Sequence, residues 1–567
     1  MSSNQTVTNG GAVLTQVIDA TTTSLNGVNR AGWIVTGVVV AFALLLRRLS
    51  SVPMDPREPP LIKTYIPYYG FFLGLYRKHM DYFDLISDGR HSVLLTMISK
   101  WRPRNRGIAT VQFLDNKTYV AWSPAIIQAC MRHKNMSIEQ MSTGFSSRVF
   151  GMHHPQDDSP PAEDPEPIQQ QGDGPPKRDV LSGPPLFQMN VRALGTVADV
   201  FNGIPADASM DIPNLYRWLR RHVTLATMDG ILGMNNPFRT DPSLVDALFE
   251  WEGKRAALVF GHTLLKFLPG GGTLGSRDSF EAREIIHRRV VEYFDAQYEQ
   301  RDDVSAIIKL TTGYFRYKGM DNDELARNIM PIIWVSTVNT IPTMYWFFTN
   351  VLLRPQLVER LRAELDADKS ETPVLKVTQD KNGKRTSASI NITQLEAKCP
   401  LLVSCYRETI RLANQLFGLR MVDKDVTVSD EDGTTYFLKQ GHTVIWSAKS
   451  MHRADSIWGH ANEFDPDRFT PEREAEKEAR QRKQSYIPFG GGKHLCPGRH
   501  FAFAENLGFL AAMIVGFEVH GLKQENVRMG FGRVNDAITQ PSPEGEGGQV
   551  SISRRAGWEN VEWSYEC

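Results

Sequence analysis

The chain has no excess charge of either sign: 64 basic side chains balance 64 acidic ones over 567 residues, so no net field draws it to nucleic acid. Cysteine is scarce. The five that exist, Cys130, Cys399, Cys405, Cys496 and Cys567, are odd in number and scattered, with no C-x-x-C or His-rich pairing. Neither a disulfide framework nor a zinc module is signalled, and the bulk of the chain is expected in a reducing compartment. There is no internal repeat, and long apolar runs are absent except for one.

That run is "AGWIVTGVVVAFALLL", Ala31 to Leu46, sixteen uncharged residues that make about 24 Å of helix, suited to a thin reticular membrane. A cleaved signal peptide is the competing reading. Against it stand the thirty mostly polar residues before the run and Arg47-Arg48 after it, where cleavage requires small side chains. The segment 31–48 is therefore expected to be an uncleaved single-pass anchor. By the positive-inside tendency, residues 1–30 form a lumenal tail and the body is cytosolic at the endoplasmic reticulum membrane. The Asn4 sequon would then be a glycosylation site.

Residues 49–70, with Pro53, Pro56, Pro59, Pro60 and Pro67, disfavour helix and read as a stiff hinge. Residues 71–560 are expected to form the main folded body. Within it, 153–185 is rich in Pro, Asp and Gln and reads as a disordered surface insertion. Asn382-Gly383 and Asp432-Gly433 mark hairpin turns between short alternating strands, and the remaining patterns are helical. The fold class expected is mainly α with minor β. "PGGGTLGS" contains a G-x-G-x-x-G spacing at Gly270, Gly272 and Gly275, but a helix-compatible segment precedes it, so a loop between helices is the better reading than a dinucleotide site. No flavin or nicotinamide domain is visible.

Three constellations carry chemistry. Glu408 and Arg411, at helical spacing i, i+3 after Pro400, share one face. Arg468 in "EFDPDRF" follows a Pro-fixed turn and is able to reach a buried carboxylate as a planar fork. "FGGGKHLCPGRHFA" sets Cys496 in a glycine-rich turn that runs into a helix. Alone, the first two are ordinary ion pairs, and Cys496 is a buried thiol, a nucleophile or a metal ligand.

In this order and spacing, Glu408-x-x-Arg411, Phe464-x-Pro466-x-Arg468-Phe469 and Phe489-x-x-Gly492-x-x-x-Cys496-x-Gly498 together resemble the cytochrome P450 superfamily. The resemblance implies the P450 fold, with haem b between a long distal helix and the loop of Cys496, whose thiolate is the axial iron ligand. Phe489 would shield the sulfur, and Gly492 and Gly498 would let backbone N–H groups approach it. Glu408, Arg411 and Arg468 become a structural network. His494, where the family commonly has Arg, and Arg420 become the propionate partners.

The distal segment, Asp321 to Leu353, opens with an Asp-x-x-Glu cap and is long enough to cross the domain. Where the superfamily usually carries an acid followed by threonine, this chain has Val338-Asn339-Thr340. Pro342 has no N–H for the Val338 carbonyl, so the helix should open beside Asn339. Trp334, Ser336 and Asn339 to Pro342 resemble the branch that contains sterol 7α-hydroxylase and prostacyclin synthase. Ser336, Asn339 and Thr340 are the candidate distal residues.

The function implied is oxidation of a lipophilic molecule, sterol-like, terpenoid or another secondary metabolite. The reaction would consume O2, with NADPH-derived electrons arriving through NADPH-cytochrome P450 reductase and cytochrome b5 as a second donor, docking near Lys493 and Arg499. Asn414 to Leu419, Trp334 to Asn339 and Asn535 to Thr539 would wall the substrate. A haem-thiolate isomerase or dehydratase needing no O2 is the alternative, and a non-catalytic haem-binding protein a more distant one.

Overall fold

The computed structural model describes Gly37, Val38, Ala41, residues 54–62, Phe71, Gly74, and residues 81–88, 106–113, 116–152, 179–253, 277–367, 370–475, 478–530 and 536–567. Asn4, nearly all of the expected anchor, the bulk of the 153–185 insertion, the Gly270–Gly275 loop and Asn535 lie outside these residues. No helix among the described residues is long and apolar enough to cross a membrane.

The principal sheet has five strands: β1 (Ile108–Phe113), β2 (Asn116–Ala121), β3 (Met136–Ser137), β4 (Phe417–Val422) and β5 (Thr443–Ser447), in the order β1-β2-β5-β4-β3. β2 and β5 run parallel and the other pairs antiparallel. In β4 burial alternates strictly, with Gly418, Arg420 and Val422 turned inward, the period expected of a strand with one covered face. Gly418 lies opposite Trp446, and a Cβ there would stand 2.1 Å from the indole, so only glycine lets that ring lie across the sheet. Both expected hairpins are present, Leu375–Gln379 with Arg385–Asn391 and Val426–Ser429 with Thr435–Leu438. Gly383 and Gly433 turn them at φ 77° and 82°.

Helices form the rest of the frame. α1 (Pro124–Arg132), α2 (Gly183–Asn202), α3 (Leu215–Leu232), α4 (Asn322–Thr337), α5 (Thr340–Leu352), α6 (Pro400–Ala413) and α7 (Arg499–Gly516) are those that position the site. Proline begins α1 and α6, where its missing N–H costs no helical bond. α4 starts with a full capping box: the Glu324 N–H donates to Asp321 at 2.9 Å, and the Asp321 N–H to Glu324 at 3.3 Å. α5 and α7 are apolar nearly all round and pack on each other in the largest core, with α3 and α6 against α5 and α2 against α7.

Three boundaries differ from the expectations. The hinge is not free throughout: Ile62 pairs with Thr110, and Glu58 is buried on Lys117 at 2.8 Å, so its described part docks on the sheet. The insertion ends earlier than 185, because Val180 and Leu181 are buried and Pro184-Pro185 lie in the first turn of α2. The domain runs past 560: Glu562–Glu566 pairs in parallel with Arg385–Asn391 and buries Trp563 and Tyr565. Alternating apolar residues in "VEWSYE" carry that strand.

Candidate functional site

The loop of Cys496 is held from three sides before its chemistry is set. Gly490 and Gly492 adopt φ of 72° and 63°, and a Cβ on Gly492 would lie 1.9 Å from the Met131 carbonyl oxygen at the end of α1. Only glycine permits that approach. The Cys496 N–H donates to the Phe489 carbonyl at 3.0 Å and closes the loop. Upstream, the Ile487 N–H donates to His452 Nε2 at 3.0 Å, and Asn414 Nδ2 donates to the Pro488 carbonyl at 3.0 Å.

Cys496 itself is half-buried, one residue pair ahead of α7. Burial pushes its thiol pKa up. The N–H groups of Gly498 and Arg499 and the Arg499 charge act in the opposite direction, favouring the thiolate. Gly498 has an ordinary φ of −79°, and a Cβ there would meet no described atom within 4 Å. Its N–H serves the sulfur, and the backbone angle makes no demand for glycine.

Behind the loop lies the expected ion network, fully assembled. Arg411 Nε and Nη2 donate to the two oxygens of Glu408 at 2.7 and 2.8 Å, and Arg468 Nε donates to the same carboxylate at 3.0 Å. Glu408 and Arg411 are 0% exposed. Their remaining donors reach the chain just before Arg468: Arg411 Nη1 to the Ala461 carbonyl at 2.7 Å and to that of His452, Arg468 Nη1 to the carbonyls of Trp458 and Gly459. Every charge is satisfied by a fork geometry available to arginine and not to lysine. The network therefore fixes the segment that leads into the Cys496 loop.

Arg420 arrives from β4. It is buried, its Nη2 donates to the Gly491 carbonyl at 3.3 Å and its Nη1 to the Leu419 carbonyl at 2.7 Å, and burial lowers its pKa. His494 is half-buried in the single turn Gly492–His494 of the same loop. The structure thus brings Phe489, Gly492, His494, Cys496, Gly498 and Arg420 to one place.

The distal helix is broken as Pro342 requires. α4 ends at Thr337, α5 begins at Thr340, and Val338-Asn339 form a turn between them. The Ser336 hydroxyl donates to the Ile333 carbonyl at 3.0 Å and that of Thr340 to the Ser336 carbonyl at 2.9 Å, so both are engaged by the helix itself. The Asn339 side chain is half-buried and makes no hydrogen bond to a described residue. Ile332, Val335, Ser336 and Asn339 form an accessible stripe on one face, Val335 at 52% exposure, while Ile329, Ile333, Trp334, Thr337 and Val338 are buried. Two of the three expected wall segments are stitched together: the Gln415 N–H donates to the Ala537 carbonyl and the Thr539 N–H to the Ala413 carbonyl, both at 2.8 Å.

These residues fit haem by donor chemistry. A soft sulfur with two N–H groups facing it, open space beside Gly498 and a buried guanidinium at the same loop are what an iron ring with acidic side arms requires. His452, Met131 and Gln540, which fasten the loop and the distal break, were not legible as site residues, and Asn414 was expected only as a substrate wall. Each acts from a sequence position remote from its partner, and no periodicity marks it.

Residues 242–546 match the family model described as Cytochrome P450. Over 536 residues the chain is 30% identical to a cytochrome P450 monooxygenase of Gibberella zeae, covering 93% of this chain and 94% of that protein. It is 25% identical over 540 residues to the cytochrome P450 monooxygenase nodJ of Hypoxylon pulicicidum, covering 94% and 97%. A 25-hydroxycholesterol 7-alpha-hydroxylase of Rattus norvegicus is 27% identical over 233 residues, 40% of this chain and 54% of that protein.

Proposed function

The chain belongs to the cytochrome P450 family, and from that premise we propose that it is a membrane-anchored monooxygenase that oxidises a sterol-like, terpenoid or other polycyclic lipophilic molecule. As a family member it is a haem-thiolate monooxygenase. The observation that carries the assignment of the centre to Cys496 is the closed glycine loop with two N–H groups facing one half-buried sulfur.

Haem, when bound, supplies an iron whose thiolate ligand favours O–O cleavage over simple oxygen carriage. The chain supplies the rest. Cys496 would hold the metal, with the Gly498 and Arg499 N–H groups offsetting part of the burial that otherwise disfavours the thiolate. Arg420 and His494 would take the acidic side arms, and Phe489 would cover the sulfur. On the other side the apolar stripe of Ile332 and Val335 excludes water and receives the substrate. Asn339 both donates and accepts, so its amide holds a water or a substrate hydroxyl at the helix break. Unlike the acid usual in the family, it releases no proton of its own. Protons must then come from held water.

Electrons come from NADPH through cytochrome P450 reductase, docked at the Lys493 and Arg499 face and supplemented by cytochrome b5. Segment 31–48 holds the enzyme at the endoplasmic reticulum membrane. The sterol-like substrate class is supported by the distal pattern together with the sterol hydroxylase among the relatives.

The test is an untargeted product screen with reductase and NADPH, joined to the spectrum of the reduced CO complex. A product heavier by oxygen and a thiolate-type band, lost in Cys496→Ser, are expected. Imidazole-type ligation in the unmodified protein would remove Cys496 from its role. A second reading, isomerase or dehydratase, is favoured by Val338-Asn339 in place of acid-Thr, and it predicts turnover without reductase and without added oxygen.

A further inference from the structure

The break in the distal helix is splinted from outside. Pro342 offers no N–H, so the Val338 carbonyl has lost its helical donor. In its place Gln540 Nε2 donates to that carbonyl, at a long 3.4 Å. The same amide is held at its other end, where Gln540 Oε1 accepts from the hydroxyl of Tyr216 on α3. Tyr216 is buried and stands edge-on to Tyr345 of α5, centroids 5.2 Å apart.

The loop that bears Gln540 is tied again beyond the break. Trp346 Nε1 on α5 donates to the Thr539 carbonyl at 2.7 Å, and the Thr539 hydroxyl donates to the Ala413 carbonyl at 3.0 Å. The segment 539–540 thus bonds the last carbonyl before the opening and a side chain two turns after it. Between these fixed points sits Asn339. Its carbonyl is taken by the Thr343 hydroxyl at 2.7 Å, while its half-buried side-chain amide bonds no described residue.

We infer that Gln540 is a positioning residue: by capping the Val338 carbonyl it sets the width of the helix break and the direction of the Asn339 amide. This rests on the reading of Asn339 given above. The physical reason is that an uncapped carbonyl in a buried turn seeks another donor, and the Asn339 amide, one residue on and bonded to no described residue, is able to supply one. Without Gln540 the Asn339 amide is drawn back to the backbone and no longer presents itself to the ligand.

The experiment uses the full-length, haem-loaded enzyme and carbon monoxide as probe. The C–O stretch of the reduced complex reports polar groups above the iron, and product formed per NADPH consumed reports how well oxygen chemistry is directed. Asn339→Leu should shift the stretch, and Gln540→Leu should shift it in the same direction. Gln540→Leu should also lower product per NADPH about threefold, the effect of losing one long neutral hydrogen bond. Tyr216→Phe, which removes only the anchor of Gln540, should produce a smaller shift of the same sign. In Pro342→Ala, where an N–H is restored to the Val338 carbonyl, Gln540→Leu should add nothing.

A shift in Asn339→Leu with none in Gln540→Leu or Tyr216→Phe would overturn the inference and leave the reading of Asn339 standing. An unchanged stretch in Asn339→Leu would remove that reading and the inference with it. A full Gln540→Leu effect in the Pro342→Ala background would show that Gln540 acts elsewhere, and would likewise overturn it.

Discussion

Replacing Arg411 by leucine removes the centre of the buried ion network. The substitution strips one Glu408 oxygen of its donor and leaves the buried carbonyls of His452 and Ala461 unsatisfied. At about 1–3 kcal/mol for each buried orphan the sum reaches about 3–9 kcal/mol. Glu408 keeps Arg468 and the Asp465 N–H, at 3.0 and 3.1 Å, which places the outcome toward the lower end. Breaking one partner of a buried pair costs about 3–5 kcal/mol in general, so about 4 kcal/mol is the expected loss. For a domain whose whole stability is about 5–15 kcal/mol, that is a large fraction. Urea titration followed by tryptophan fluorescence should move the midpoint down by about 1 M if the slope is near 3–4 kcal/mol per M. Arg411→Lys, which retains charge and loses the fork, should recover less than half of it. The thiolate-type band of the reduced CO complex should weaken in parallel, since the network holds the approach to Cys496. A midpoint within about 0.2 M of the unmodified protein, with the band intact, would refute the reasoning.

Gly492→Ala places a methyl 1.9 Å from the Met131 carbonyl at a positive φ, so the loop must withdraw from α1; haem content measured per protein should fall steeply, while Gly498→Ala, with open space around it, should fold with its N–H in place. Glu505 in α7 is fully buried, and burial raises its pKa to about 8 against a single hydrogen bond from Thr227 at 2.7 Å. Its proton is therefore kept by the folded state and released by the unfolded one between about pH 4.5 and 8, so this group lowers stability as pH rises through that window. Glu505→Gln should gain on the unmodified protein by on the order of 1 kcal/mol per pH unit there, read by denaturation at several pH values; a pH-independent difference would refute it. A chain ending at residue 560 loses the final strand, along with Trp563, whose ring stacks on Trp558 at 5.5 Å and 17° and fills the space over Gly516. Its thermal midpoint should drop by several degrees, and an unchanged midpoint would return the terminus to the role of a tail.

What could be read directly was what depends on neighbours in sequence. The capping box of Asp321 and Glu324, the hairpin glycines, the Pro342 break and the i, i+3 pairing of Glu408 with Arg411 all rest on contacts within one turn of the chain. The three boundary errors have a common cause. Composition marked residues 49–70, 153–185 and the last few residues as peripheral, yet Glu58, Val180 and Trp563 are buried, Glu58 on Lys117, 59 positions away, and Trp563 opposite Ala388, 175 positions away, which composition cannot register.

The sequence by itself determined the class of the protein, since the order and spacing of Glu408-x-x-Arg411, Arg468 and the Cys496 loop admit few other chemistries. It also located the distal irregularity, because a proline's missing N–H acts at a fixed distance of four residues. Only the tertiary structure decided what holds these pieces. Gly492 of the cysteine loop is required by a carbonyl of α1, the loop is fastened by His452 and Asn414, and the open carbonyl of Val338 is closed by Gln540. Such bonds join atoms that meet only when separate elements pack, and a hydrogen bond depends on that meeting in space and carries no trace in the spacing of the chain.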